Sequence, residues 1–148
     1  MEQLLLRTGD ALISGDFDSF LACFHLPHRI ELYDGTNYLE SANDLRSVFD
    51  ANRTYFERIG VTKLVRICVE SAFIDPETIT TTHQSRLLRE NELLQEPYPV
   101  YSVVKWIDGA WKITHGKYAI ADSDAHNAAL AAKAAPGASS SGNRDPEA

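Results

Sequence analysis

The chain has 148 residues, with 44% apolar and 24% charged side chains and a formal net charge of -7. That length builds one domain with a substantial core. The acidic balance speaks against nucleic acid and against anionic membrane surfaces, because both attract basic faces. No apolar run approaches the roughly 20 residues that span a bilayer. The opening segment, with Glu2 and a short leucine run, does not read as a signal peptide. A cytoplasmic protein is the expectation. Cys23 and Cys68 lack CxxC spacing and sit in apolar contexts, so they read as two buried free thiols.

In chain order, residues 2–14 read as a helix with Leu5, Thr8, Ala11 and Leu12 on one stripe. Gly15 and Asp16 punctuate. Phe17, Phe20, Leu21 and Phe24 follow at helical spacing, a second helix that Pro27 should end. Residues 28–40 suggest a small hairpin turning at Asp34-Gly35. Ser41 opens a third helix, with Asp44 three residues on as in a capping box. Leu45, Val48, Phe49, Asn52, Phe56 and Ile59 carry its stripe, and Gly60 stops it.

From Val61 the period becomes two. Val65, Ile67, Val69, Ser71 and Phe73 alternate with polar residues, and the strand returns over Ile79–Arg89. A third long strand ends at Ile107 and a fourth covers Ala110–Ile120. The order predicts an antiparallel meander. Residues 122–148, rich in Ala, Ser, Gly and Pro, read as a structureless tail with at most a short helix at 127–135. Its removal should cost little stability. The folded domain is then 1–121.

The segments FHLP, LESANDLRSVF, ERIGVTK and EPYPVYSVVKWIDGAWKI, in this order of elements, resemble the nuclear transport factor 2-like superfamily, and within it the SnoaL-like bacterial proteins. The resemblance covers about residues 2–121 and implies an α+β cone: three N-terminal helices packed in a curved antiparallel sheet, with a pocket in its mouth. It implies no single activity. Such proteins include isomerases, dehydratases, polyketide cyclases, and binding or dimerisation modules. Ketosteroid isomerase-like sites use an inward carboxylate, and no inward Asp stands at a comparable strand position here. Scytalone dehydratase-like sites use two histidines with tyrosines. His83, His115 and Tyr33 or Tyr55 are similar in kind, without a position-by-position match.

Strand parity selects the candidate site. A two-residue turn at Asp108-Gly109 pairs Trp106 with Trp111, Val104 with Ile113 and Ser102 with His115. Lys105 opposite Lys112 marks the other face as the wet one. Lys117 is inward by the same register, near the strand end. In the earlier hairpin, a three-residue loop at Asp75-Pro76-Glu77 sets Val69 opposite His83 and Ile67 opposite Ser85. A two-residue loop would set Glu70 opposite His83 but mix the faces.

His115 and His83 are thus the candidate catalytic pair. Ser102, Ser85, Tyr55, Trp106 and Trp111 are the candidate ligand contacts. His25 and His28 flank Pro27 and read as surface loop residues. No metal and no cofactor are expected, since no P-loop, GxGxxG, GxSxG or HExxH occurs. The expected ligand is small and apolar or aromatic. Two functions fit: a cofactor-independent acid–base isomerase, dehydratase or cyclase, and a non-catalytic ligand-binding or dimerisation module. The apolar residues Tyr101, Val103 and Ile107 on the outer face suggest a homodimer.

Overall fold

The computed structural model describes residues 2–134. The elements are α1 (Glu2–Ser14), α2 (Phe17–Leu21), β1 (Phe24–Leu32), β2 (Gly35–Leu39), α3 (Ala42–Ile59), β3 (Lys63–Asp75), β4 (Thr78–Arg89), β5 (Glu92–Leu93), β6 (Tyr98–Ile107), β7 (Ala110–Tyr118) and α4 (Asp124–Leu130). The strands form one sheet in the order β2-β1-β7-β6-β4-β3, with the short β5 beside β4. The meander β3-β4-β6-β7 is as expected from the sequence. β1 then joins β7 in parallel, the one joint at which the sheet departs from antiparallel pairing.

The helices follow their local signals. Ser41 Oγ accepts from the Asp44 amide at 3.2 Å, while Asp44 Oδ2 accepts from the Ser41 amide at 3.2 Å, closing a capping box. Gly60 ends α3 in the left-handed region at φ +84°. α2 is shorter than the Phe17–Phe24 pattern predicts. It stops at Leu21 because β7 captures the chain: the Cys23 carbonyl accepts from the Ile113 amide at 2.8 Å. Phe20 and Phe24 still pack together at 4.7 Å, so the spacing survives the change of backbone. Pro27 lies inside β1, after a cis Leu26-Pro27 bond, rather than at a helix end. The first hairpin turns at Tyr33-Asp34, one residue earlier than expected, since Leu32 pairs with Gly35.

α1 and α3 lay their apolar stripes on the inner face of the sheet. Leu12, Phe20, Leu39, Leu45, Phe49, Phe56, Leu87 and Val100 form the main core. Leu4, Cys23, Ile79, Val104 and Ile113 form a second cluster nearer the β6–β7 turn. Cys23 is buried, but Cys68 is only half-buried, so the pair of buried thiols reduces to one. No described helix is long and apolar enough to cross a membrane.

The packed structure runs past residue 121. Ser123 caps α4 by accepting from the His126 amide at 3.1 Å, and His126, Ala129 and Leu130 are buried against α3 and the sheet. Asn37 of β2 donates to the carbonyls of Leu130 (3.1 Å) and Ala132 (3.0 Å). Residues 123–134 are therefore not a structureless tail. The sequence pattern understated them because only Leu130 is a large apolar residue, and the docking depends equally on His126 and on hydrogen bonds. The expectation for residues 135–148 lies outside the described residues. Leu130→Ala should destabilise the protein by about 2–5 kcal/mol, the usual cost of truncating a buried leucine. Equilibrium denaturation checks this, and an unchanged midpoint would mean that α4 contributes nothing.

Candidate functional site

Register decides which side chains meet under the helices. On the inner face Arg66 of β3 lies opposite Ser85 of β4, and Ser85 lies opposite Tyr98 of β6. This makes a polar row across three strands. The next row runs Cys68, His83, Val100 and Tyr118. A further one carries Thr81, Ser102 and Gly116, with Ile30 of β1 beside Gly116. Gly116 lets the Tyr118 ring lie close over it: a Cβ there would meet that ring at 3.2 Å.

Above these rows sits a cavity closed by Leu5, Thr8 and Leu12 of α1, Asn52 and Phe56 of α3, and His126 and Leu130 of α4. Its volume is only about 50 Å³, so it is a narrow space. The lining is mainly apolar. Its polar groups are Arg66, His28, His83, His126, Asn52, Thr8, Ser102, Tyr98 and Tyr118.

Several of these groups lack partners. His28 Nδ1, His83 Nδ1 and Arg66 Nε are buried without a hydrogen bond, and so is Ser85 Oγ beside them. Ser85 stands close to the Tyr98 hydroxyl without a bond of good geometry. Native interiors rarely leave such atoms unpaired, and each one costs free energy.

Burial sets the charge state. It is the main cause holding the His83 pKa down to about 3, with the Arg66 cation adding to it. Burial also lowers His28 to about 4, helped by His115 and opposed by the Ile113 and Thr114 carbonyls. His126 falls to about 4 by burial, partly opposed by Asp122. Tyr98 and Tyr118 are pushed up by burial and stay as phenols. At neutral pH Arg66 therefore carries the one full charge in the lining.

His115 is not in the cavity. Thr114 is an extra residue in β7, a bulge between the pairs Val104–Ile113 and Val103–His115. Beyond it the faces exchange, so Gly116 lies opposite Ser102 and His115 turns outward beside Glu31. Lys117 turns outward with it, into a trough shared with Thr80, Thr82, Tyr101 and Val103. The expected Ser102–His115 pair does not exist.

A second bulge, at Val69, sets His83 opposite Cys68 rather than Val69. The three-residue-loop pairing holds only for Phe73–Ile79 through Glu70–Thr82. Val65 and Ile67 accordingly face outward, Ile67 being 45% exposed, and Arg66 faces in.

The other candidates divide. His83 and Ser102 line the cavity, and Ser85 lies under it. Tyr55 is buried but outside the lining. Its hydroxyl donates to Gln95 Oε1 at 2.6 Å and meets Ser123 Oγ at 2.8 Å, while its ring stacks on His126 at 5.1 Å. Tyr55 thus seats α4. Gln95 completes the link through His126 Nδ1 at 3.1 Å.

Trp106 and Trp111 pack edge to face at 5.4 Å at the far end of the sheet, away from the cavity. Tyr33 is exposed at the hairpin turn. His28, expected on the surface, is 2% exposed and lines the cavity, while His25 is exposed. Sequence reasoning missed Arg66, His28 and His126. An arginine inside the apolar run LVRICV was the one visible signal. Among the described residues no three His, Cys, Asp or Glu side chains gather as a metal site would require.

No protein-family model matches the chain, and no curated protein matches it. Solved structures do. A cystatin-like-fold protein of unknown function from Nostoc punctiforme superposes with TM-score 0.63 at 17% identity, covering 82% of this chain and 89% of that one. The chain has the nuclear transport factor 2-like fold. An NTF2-like protein with a cystatin-like fold from Novosphingobium aromaticivorans gives TM-score 0.60 at 14% identity, covering 86% of this chain and 84% of that one. An NTF2-like protein of unknown function from Shewanella oneidensis gives 0.57 at 15%, covering 79% and 93%. At these identities the NTF2-like likeness speaks for the cone alone.

The three depressed histidines make stability depend on pH. Each has a folded pKa below its unfolded value near 6.5, so the unfolded chain binds more protons between the two. The contribution is complete above pH 6.5 and is lost as pH falls toward 4 and then 3. For fully buried imidazoles it is on the order of 3 kcal/mol each. Unfolding at pH 5 should take up between about two and three protons. Measuring the unfolding free energy from pH 8 to pH 4.5 tests this; a flat profile would refute it.

Proposed function

We propose that the protein is a small-molecule binding module whose ligand occupies the cavity between α1, α3, α4 and the sheet. The observation that carries this reading is the pair of unpartnered polar atoms His83 Nδ1 and Arg66 Nε, both of residues that line one largely apolar cavity. A ligand with an apolar body and a few polar atoms would satisfy them. His83 and Ser102 serve this reading as hydrogen-bonding groups, while Trp106, Trp111 and Tyr55 do not contact the ligand.

The acid–base reading fares less well for a stated reason. A general base works best with a pKa near the working pH. The cavity histidines sit near 3 to 4. No carboxylate is in the lining to take their place. Ligand-observed NMR with small aromatic molecules tests the binding reading. Wild type should bind, and Ser102→Leu, which fills the cavity, should bind at least about tenfold more weakly. Equal binding by both proteins would place the ligand elsewhere and refute the proposal.

We also propose that two copies pair through the outer face of the sheet. Val65 and Ile67 of β3 and Tyr101 and Val103 of β6 lie on that face, with Tyr101 46% exposed. Such a patch favours being covered. Light scattering should give a dimer for wild type and a monomer for Tyr101→Glu. A wild type that stays monomeric at every concentration would rule the pairing out.

A further inference from the structure

Building on the cavity as a ligand site, we infer that its ligand is a small, largely apolar carboxylate whose acid group is held by Arg66. A guanidinium keeps its charge at any pH the protein meets and presents a planar fork of donors. Arg66 Nη1 donates to Thr8 Oγ1 and, at 3.4 Å, to the Leu5 carbonyl, both neutral acceptors of α1. Its Nε is buried and unpaired.

Among the described residues Arg66, like Arg7, Arg58 and Arg86, has no carboxylate within ion-pair distance, and of these four it is the one that lines the cavity. Asp10 borders the crevice between α1 and β3 that Arg66 also touches, but makes no ion pair with it. A partly buried cation without a counter-charge is costly. A neutral apolar ligand would increase that cost by removing the remaining water, while a carboxylate would offset it with two charge-assisted hydrogen bonds.

The surroundings favour a singly charged ligand. The three cavity histidines are neutral, and the tyrosines are phenols, so a single positive charge faces the ligand. Ser85 and Tyr98, in the same cross-strand row as Arg66, lie where they can serve the second oxygen or a neighbouring polar group. The apolar remainder of the lining suits a ring or short hydrocarbon and disfavours a strongly hydrated dianion such as a phosphate ester.

The test compares three probes of similar size by calorimetric titration at pH 7: benzoate, benzamide and toluene. Benzoate should bind at least about tenfold more tightly than benzamide to the wild type. That preference should vanish in Arg66→Met and partly survive in Arg66→Lys. The wild type alone also decides the matter, should either variant fold poorly: the Arg66 Nε–H resonance should shift on adding benzoate and stay in place with benzamide. If benzamide or toluene binds as well as benzoate and the resonance does not move, the acid-group inference falls while the cavity reading stands. If none of the three binds, both fall.

Discussion

Side chains on a strand alternate, and the single extra residue Thr114 resets that alternation for the end of β7. The β7 side of the cavity floor depends on it. Without the bulge, His115 and Lys117 would face the helices. With it, Gly116 faces Ser102 and Tyr118 faces Val100, so a bare backbone and a phenol stand where an imidazole and an ammonium would have been. The bulge occurs where β1 also loses step, across residues 25–28, so that β1 and β7 share one irregularity. That same stretch of β1 brings His28 inward beside the Ile113 and Thr114 carbonyls.

The cavity that results has an unusual electrical character. Its walls remove water from six kinds of polar side chain, yet only the arginine keeps a charge. Burial neutralises the imidazoles and keeps the phenols protonated, while a guanidinium cannot respond in that way. The interior thus resembles a slightly polar organic solvent containing one fixed cation. Arg66 is tied to α1 through Thr8 and Leu5, so the cation also joins the first helix to the sheet.

Much of the fold was legible because its signals are local. The Ser41 cap, the Gly60 stop and the Asp108-Gly109 turn, with both residues at positive φ, depend only on neighbouring residues. The long strands announced themselves by period. The bulges did not, since an extra residue leaves no mark in a pattern that is already mixed. Val69 and Thr114 read as ordinary alternating positions. Parity carried from the Asp108-Gly109 turn was therefore reliable as far as Thr114 and reversed beyond it in β7. This is why Val104 and Ile113 fall inside as expected and His115 does not. On β4, where the strand is regular, Ile79, Thr81, His83, Ser85 and Leu87 all face in, as the pattern implied. The docking of α4 was hidden for a different reason: it depends on partners far away in the chain.

That distance bears on the order in which the molecule assembles. Asn37 joins β2 to Leu130 and Ala132 across 93 and 95 positions, and Tyr55 reaches Ser123 across 68. The surface that receives α4 is built largely from α3, β2 and the start of β6, none of which is next to it in sequence. Seven residues of helix have no stability of their own in water. α4 can therefore settle only after the hairpin, the long helix and the meander have already come together. Because it closes one end of the cavity, that enclosure is completed by the last segment to find its place, and a newly made chain remains open on that side until then.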